Sequence, residues 1–256
     1  MTQAAAKLQA STVPSGKTSL KTVYTASDLH MFCKRSEAPR HMDMLYDAAQ
    51  NADVFVLNGD IFDFRWSTLK STNDTVDKAL TWLDDFINRV PGCKVHYVLG
   101  NHDSVKSFTD ALGVYAREKD NLLWHPYYVR LKDTIFLHGD VAQKKMDAED
   151  LTRFREGWYF DKKKGKWMNR IYDAAFLMKV HKGIHKVAFP NRITVERVRH
   201  YLDQIGEGPD SGTSTVYFGH THVAMSDYEH DGVLYHNTGA PLKGLPFNIL
   251  KTEIEL

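Results

Sequence analysis

The 256-residue chain carries 33 Lys and Arg against 32 Asp and Glu, a net charge of +1, and 43% of its residues are hydrophobic. These are the proportions of a soluble globular protein with an ample core, and the balanced charge argues against a nucleic-acid partner. No apolar run approaches the ~18 residues of a membrane helix, the N-terminus lacks the apolar core of a signal peptide, and Cys33 and Cys93 alone make neither a disulfide framework nor a cysteine metal cluster, so the expected location is cytoplasmic.

Residues 1–20 are rich in Ala, Ser, Thr, Gln and Lys without apolar periodicity, which reads as a mobile tail before one domain spanning 21–256. The Ser15-Gly16-Lys17-Thr18 run is not a phosphate loop, because Ser11 stands where the leading glycine is needed and no strand precedes it. Lys21 to Ala26 is the first predicted strand, running into Ser27-Asp28-Leu29-His30. Arg40 to Gln50 is a short helix candidate. Asp53 to Asn58, an apolar run suited to an inner strand, ends at Gly59-Asp60. Val76, Ala79, Leu80, Leu83, Phe86, Ile87 and Val90 trace one helical stripe that Pro91-Gly92 stops. Lys94 to Leu99 runs into Gly100-Asn101-His102-Asp103, Thr134 to Leu137 into His138-Gly139-Asp140, and Thr215 to Phe218 into Gly219-His220-Thr221-His222. A late strand, Val233 to Asn237, closes the series; His236 and Asn237 lie near enough to approach the site, although a strand-end turn explains them equally. Strands alternating with helices imply βαβ units, an α/β class and a largely parallel sheet with helices on both faces.

The rhythm breaks between Val141 and Ser214, a helical insertion with 15 Lys and Arg against 10 Asp and Glu, so that the basic charge is concentrated there. Helices are expected around Ala148 to Glu156, Met168 to His181 and Thr194 to Gln204. With Trp158, Trp167 and the Lys162-Lys163-Lys164 run, the segment reads as a cap holding an anionic ligand with an apolar part; a solvated helical hairpin is the plain alternative. His181 and His185 are one turn apart, but with Gly183 between them and no third ligand nearby they read as surface residues.

Five apolar runs that end in Asp, His or Asn point to one chemistry, since ligands of α/β sheets bind beyond the carboxyl ends of the strands. Asp28, His30, Asp60, Asn101, His138, His220 and His222 are too many donors for one ion. Nitrogen and oxygen ligands without thiolate suit two first-row divalent ions with Asp60 as the bridge; Mn²⁺ is the first choice, with Fe²⁺, Zn²⁺ and Co²⁺ as alternatives. Such a pair can generate hydroxide near neutral pH and clamp a phosphoryl group.

Asp28-x-His30, Gly59-Asp60-x-x-Asp63, Gly100-Asn101-His102-Asp103, His138 and Gly219-His220-x-His222 resemble, in order and spacing, the five blocks of the calcineurin-like metallophosphoesterases. The resemblance implies a four-layer αββα sandwich with a helical cap. It gives Asp28, His30, Asp60 and His222 to one metal and Asp60, Asn101, His138 and His220 to the other. It also makes His102 the group that protonates the leaving oxygen, with Asp103 orienting it and Asp63 and Asp140 outside the ligand set. Within the family, the blocks and the helical insertion look like the UDP-2,3-diacylglucosamine hydrolases, although His102 stands where the better-known members carry Arg. The resulting expectation is hydrolysis of a phosphodiester or pyrophosphate in a small phosphorylated substrate of the nucleotide-sugar or lipid-linked kind, with peripheral membrane contact through the insertion. The competing readings are a cyclic-nucleotide or other phosphodiesterase or phosphatase and, from another class, an inactive interaction scaffold on the same fold.

Overall fold

The computed structural model describes residues 19–160 and 188–256. β2 (Val54–Asn58) is buried along its whole length because it has a different cover on each face. Phe55 and Leu57 face the helices α1 (Met42–Gln50), α2 (Thr72–Arg89) and α3 (Lys106–Arg117), while Val54 and Val56 point the other way, towards Phe136 and Tyr217. The alternation of side chains along a strand thus divides one apolar run between two cores.

β1 (Leu20–Ala26), β2, β3 (Lys94–Val98) and β4 (Leu122–His125) pair in parallel, and β10 (Leu250–Glu255) adds antiparallel to β1, giving the order β10-β1-β2-β3-β4. The second sheet has the order β5-β6-β7-β9-β8, from β5 (Tyr128–Leu131), β6 (Thr134–Leu137), β7 (Thr215–Phe218), β8 (Met225–His230) and β9 (Val233–Asn237). Its inner strands β6, β7 and β9 are parallel and both edges are antiparallel. Ile135, Leu137, Val216 and Phe218 turn outward to α4 (Ala148–Tyr159) and α5 (Asn191–Gln204), which supply Leu151, Val195, Val198, Tyr201 and Leu202. The result is the αββα sandwich. The single sheet with helices on both faces gives way to two sheets, each with helices outside and its partner inside, since an apolar strand face does not record which kind of layer covers it.

Local signals set the helices. Ser71 and Asp74 form a reciprocal capping box at the start of α2, each side chain accepting from the other's backbone N–H at 3.0 Å. A 3-10 turn, Ala38–His41, precedes α1 and takes up the first residues of the expected helix. Leu20, read as tail, opens β1, and Ser19 N–H donates to Leu256 O at 2.9 Å. The two described ends of the 141–214 segment, α4 and α5, are the outer layer of the second sheet. The helix expected over Met168 to His181, and with it Lys162, Lys163, Lys164, Trp167, His181 and His185, lies outside the described residues. Among the described residues no helix is long and apolar enough to cross a membrane.

Candidate metal centre

The strand ends that sequence marks out meet at one end of the sandwich. Asp28 and His30 follow β1, Asp60 follows β2 and Asn101 and His102 follow β3, all from the first sheet; His138 follows β6 and His220 and His222 follow β7 in the second. Five of the seven expected ligands, Asp28, His30, Asp60, His220 and His222, have left-handed backbones with φ between 46° and 65°. Non-glycine residues pay for that region, Asp and His less than most, and such strain collects at functional sites. The turns are held by the ligands themselves: His220 N–H donates to both Asp28 oxygens at 3.0 and 3.1 Å, and His102 N–H donates to Asp60 Oδ1 at 2.8 Å. Neighbouring glycines leave room for them, for a Cβ at Gly100 would run into the Asp60 carboxylate and one at Gly219 into that of Asp28.

Four overlapping clusters share this space: Asp28, His30 and His222; Asp28, Asp60 and His138; His138, Asp140 and His220; and His30, Asp63 and His102 each place ligand atoms within 4.8 Å of one another. His138 Nε2 stands 3.2 Å from Asp60 Oδ2, His222 Nε2 stands 3.3 Å from Asp28 Oδ1, and His220 Nδ1 stands 3.1 Å from Asn101 Oδ1. The donor set fits divalent cations. His30 Nε2 and His222 Nε2 face each other at 3.1 Å, and His138 Nε2 is buried with no hydrogen-bond partner. Electrostatics agree. Burial opposes charge on His138, yet Asp60 and Asp140 push its pKa up to about 10; burial likewise opposes charge on His102, yet Asp63 and Asp60 push it up to about 9. Burial also works against ionisation of Asp60, but the charges of His138 and His102 hold its carboxyl well below the usual range. Buried carboxylates that draw protons onto adjacent imidazoles are carboxylates that need cations. His220 runs the other way: burial, helped by the charge of His138 and opposed by that of Asp140, lowers its pKa to about 4.

The expected partner of His102 changes. His102 Nδ1 lies 3.1 Å from Asp63 Oδ1, whose other oxygen is 3.5 Å from His30 Nδ1. Asp103 instead accepts from the backbone N–H of Ile61 and Phe62 at 3.2 and 3.0 Å and braces the Asp60 turn. Adjacency along a turn does not put two side chains on one side; Asp63, 39 residues away, is the neighbour in space. Asp140 forms a buried ion pair with Arg155 of α4. Arg155 also donates to Leu99 O at 2.8 Å and to Ser104 Oγ and Pro126 O at 3.1 Å, tying α4 to both the β3 and the β6 turns.

Above the ligands is an opening of about 330 Å³ lined by Asp60, Asn101, His102, Gln143, His220 and His222 and by three aromatic side chains, Phe154, Trp158 and Phe189. Trp158 is where the sequence places a substrate contact; its ring centroid is 4.9 Å from that of His102, with the Arg65 guanidinium 4.5 Å over its own ring. Arg155, Gln143 and Phe189 escaped the sequence reading, for each looks like an ordinary residue of a polar helix or loop. Asn237, which holds Gly219 O and Thr221 Oγ1 at 2.8 and 3.2 Å, shapes the last turn without lining the opening.

Asp and His clusters at the strand ends of such a sandwich suit a dinuclear metal centre. Residues 21–224 match the model of the family described as calcineurin-like phosphoesterase, and the chain belongs to that family. Clusters and family together define a metal-dependent phosphoester hydrolase. Among solved structures it is similar to a dimetal phosphatase from Danio rerio, at 13% identity and TM-score 0.45, over 91% of this chain and 96% of that one. It is also similar to a putative 5'-nucleotidase from Staphylococcus aureus, at 11% identity and TM-score 0.38, over 93% of this chain and 54% of that one. No match was found among curated proteins.

Proposed function

We propose that this chain hydrolyses a phosphodiester or pyrophosphate bond. In this reading Asp28, His30, Asp60 and His222 hold one ion, and Asp60, Asn101, His138 and His220 hold the other, with Mn²⁺ as the working metal because the donors are oxygen and imidazole nitrogen. When bound, the two cations would supply a nucleophile at neutral pH and positive charge for the phosphoryl oxygens. The observation that carries the proposal is the placement of His102 at the opening with Nδ1 against Asp63. That contact fixes the ring and leaves Nε2 to the ligand. As the oxygen of water bonds to phosphorus and the bond to the leaving oxygen breaks, His102 gives that oxygen its proton, and Asp63 stabilises the protonated imidazole beforehand. A leaving group that needs protonation is an alkoxide or a phosphate, which a diester, a monoester and a pyrophosphate all release, so the choice among them falls to the assay.

The wall of Phe154, Trp158 and Phe189 favours a substrate with an apolar or planar part beside its phosphate. A nucleotide-sugar, lipid-linked or not, answers that description, and with it comes the finer likeness to the UDP-2,3-diacylglucosamine hydrolases, a cytoplasmic setting and peripheral membrane contact. The test is a panel assayed with Mn²⁺: a chromogenic phosphodiester, the matching monoester, a UDP-sugar and an acylated UDP-sugar. Turnover of diester or pyrophosphate well above monoester is the expected result. A preference for the monoester, or no turnover of any member by protein carrying two ions, would overturn the proposal.

A further inference from the structure

Each half-site draws ligands from both sheets, so something must fix the distance between Asp60 on one side and His138 and His220 on the other. Asn58, the last residue of β2, is 1% exposed and two positions before Asp60. Its side-chain amide does not stay within its own sheet. Asn58 Nδ2 donates to Leu137 O at 2.9 Å and to Tyr217 O at 3.2 Å, one acceptor in β6 and one in β7. Leu137 directly precedes His138, and Tyr217 stands three residues before His220. The last paired residues of β6 and β7 are Phe136 and Tyr217, and beyond them Gly219 N–H still donates to His138 O at 2.7 Å, so the amide reaches these strands where the regular ladder gives way to the ligand-bearing turns. The backbone of Asn58 completes the contact, for its carbonyl faces His138 Nδ1 at 3.3 Å. A carbonyl only accepts, so Nδ1 keeps its hydrogen, and Nε2, 3.2 Å from Asp60, is the nitrogen that would give up its proton to take a cation.

We propose that Asn58 is a positioning residue for the dinuclear centre: by tying the end of β2 to the ends of β6 and β7 it sets how far His138 and His220 stand from Asp60, and which nitrogen of His138 ligates. The chemistry demands an amide. Two carbonyl oxygens call for two N–H groups on one short side chain. Aspartate of the same shape would set negative charge against them, and leucine of similar volume would leave both unbonded. Ordinary sheet-to-sheet packing needs no such group, as Val54, Val56 and Phe136 show nearby. The proposal rests on the reading of two bridged ions and concerns how the protein holds them.

The experiment is metal titration of the full chain with Mn²⁺, followed by elemental analysis and by electron paramagnetic resonance of the loaded protein. Wild type is expected to bind two ions and to show the spectrum of an exchange-coupled pair. Asn58→Leu is expected to lower the affinity for the second ion about 10- to 100-fold, the effect of losing an outer partner of a metal ligand, and to replace the coupled spectrum with that of separate ions. A merely structural role would lower the melting temperature and leave the spectrum of the loaded protein unchanged, and that result overturns the proposal. Asn58→Ser, which keeps one donor, serves if the leucine variant does not fold; a coupled spectrum and wild-type affinity in the serine variant likewise overturn it. Wild type that never binds a second ion refutes the two-ion reading itself and removes the proposal with it.

Discussion

Replacing Arg155 with methionine keeps most of the side chain's bulk and removes its charge. Arg155 is 3% exposed and Asp140 2%, and burial would drive the Asp140 carboxyl towards protonation were it not for the Arg155 charge, which holds its pKa below the ordinary value. Without Arg155 the carboxylate is stranded in the core, and Leu99 O and Pro126 O lose a donor. Breaking a buried ion pair from one side costs about 3–5 kcal/mol. Against a typical domain stability of about 5–15 kcal/mol, that is about a fifth of the total or more. Urea unfolding of wild type, Arg155→Met, Asp140→Asn and the double variant measures it. The double variant, which has no orphaned charge, should be more stable than the sum of the two losses predicts, by about 1–3 kcal/mol. Loss of less than about 1 kcal/mol in Arg155→Met, or costs that add within about 0.5 kcal/mol, would refute the idea that this pair ties α4 to the site turns.

Asp60→Asn should bind fewer than two ions and lose activity, measured by elemental analysis beside the assay; two ions retained would remove the bridge. His102→Ala should keep both ions while kcat falls about 10²- to 10⁴-fold, with a smaller loss for substrates whose leaving group needs no proton. Gly100→Ala should cost about 1–3 kcal/mol in chemical unfolding and weaken metal binding, because the added methyl displaces the Asp60 carboxylate; unchanged metal content would show that the turn can yield. His96 and His125 stack with ring nitrogens 2.9 Å apart, and burial, with the His125 charge adding to it, lowers the His96 pKa to about 4. The unfolded chain therefore takes up a proton near pH 6.5 that the folded chain refuses until about pH 4. Stability is fully present above that window and falls by about 3 kcal/mol as pH drops through it; His96→Phe should flatten the slope in pH-dependent unfolding.

The ligand-bearing turns were legible because each follows an apolar strand: Val54 to Leu57 can only be buried, and a carboxylate placed three residues later in a crevice has few structural uses. The split into two sheets was not, since Phe55 and Val56 are equally apolar although one meets helices and the other a sheet. Short, half-exposed strands such as β4, β5 and β8 carry too little alternation to stand out. Arg155 reads as one more cation on a charged helix, and only the fold shows it buried. Asn58 was the better signal, a polar residue closing an apolar run, but its acceptors lie 79 and 159 residues away and no local pattern connects them. For the same reason Asp103 looked like the partner of His102 while Asp63 holds the place.

The left-handed turns at the ligand end have a consequence for how long the protein lasts. Asp28, His30, Asp60, His220 and His222 hold the backbone where an L-residue is at a disadvantage, and they crowd negative charge around Asp28 and Asp60 in a dry space. Cations that bind this arrangement and not the unfolded chain stabilise it by mass action, about 2.7 kcal/mol at one hundred times the dissociation constant. Metal supply thus governs persistence as well as turnover. A chelator should first loosen the turns after β1, β2 and β7, which amide hydrogen exchange would register as lost protection there before the middles of the strands respond. In a cell short of metal, quality-control proteases would meet the polypeptide at the same end of the sandwich that the substrate otherwise enters.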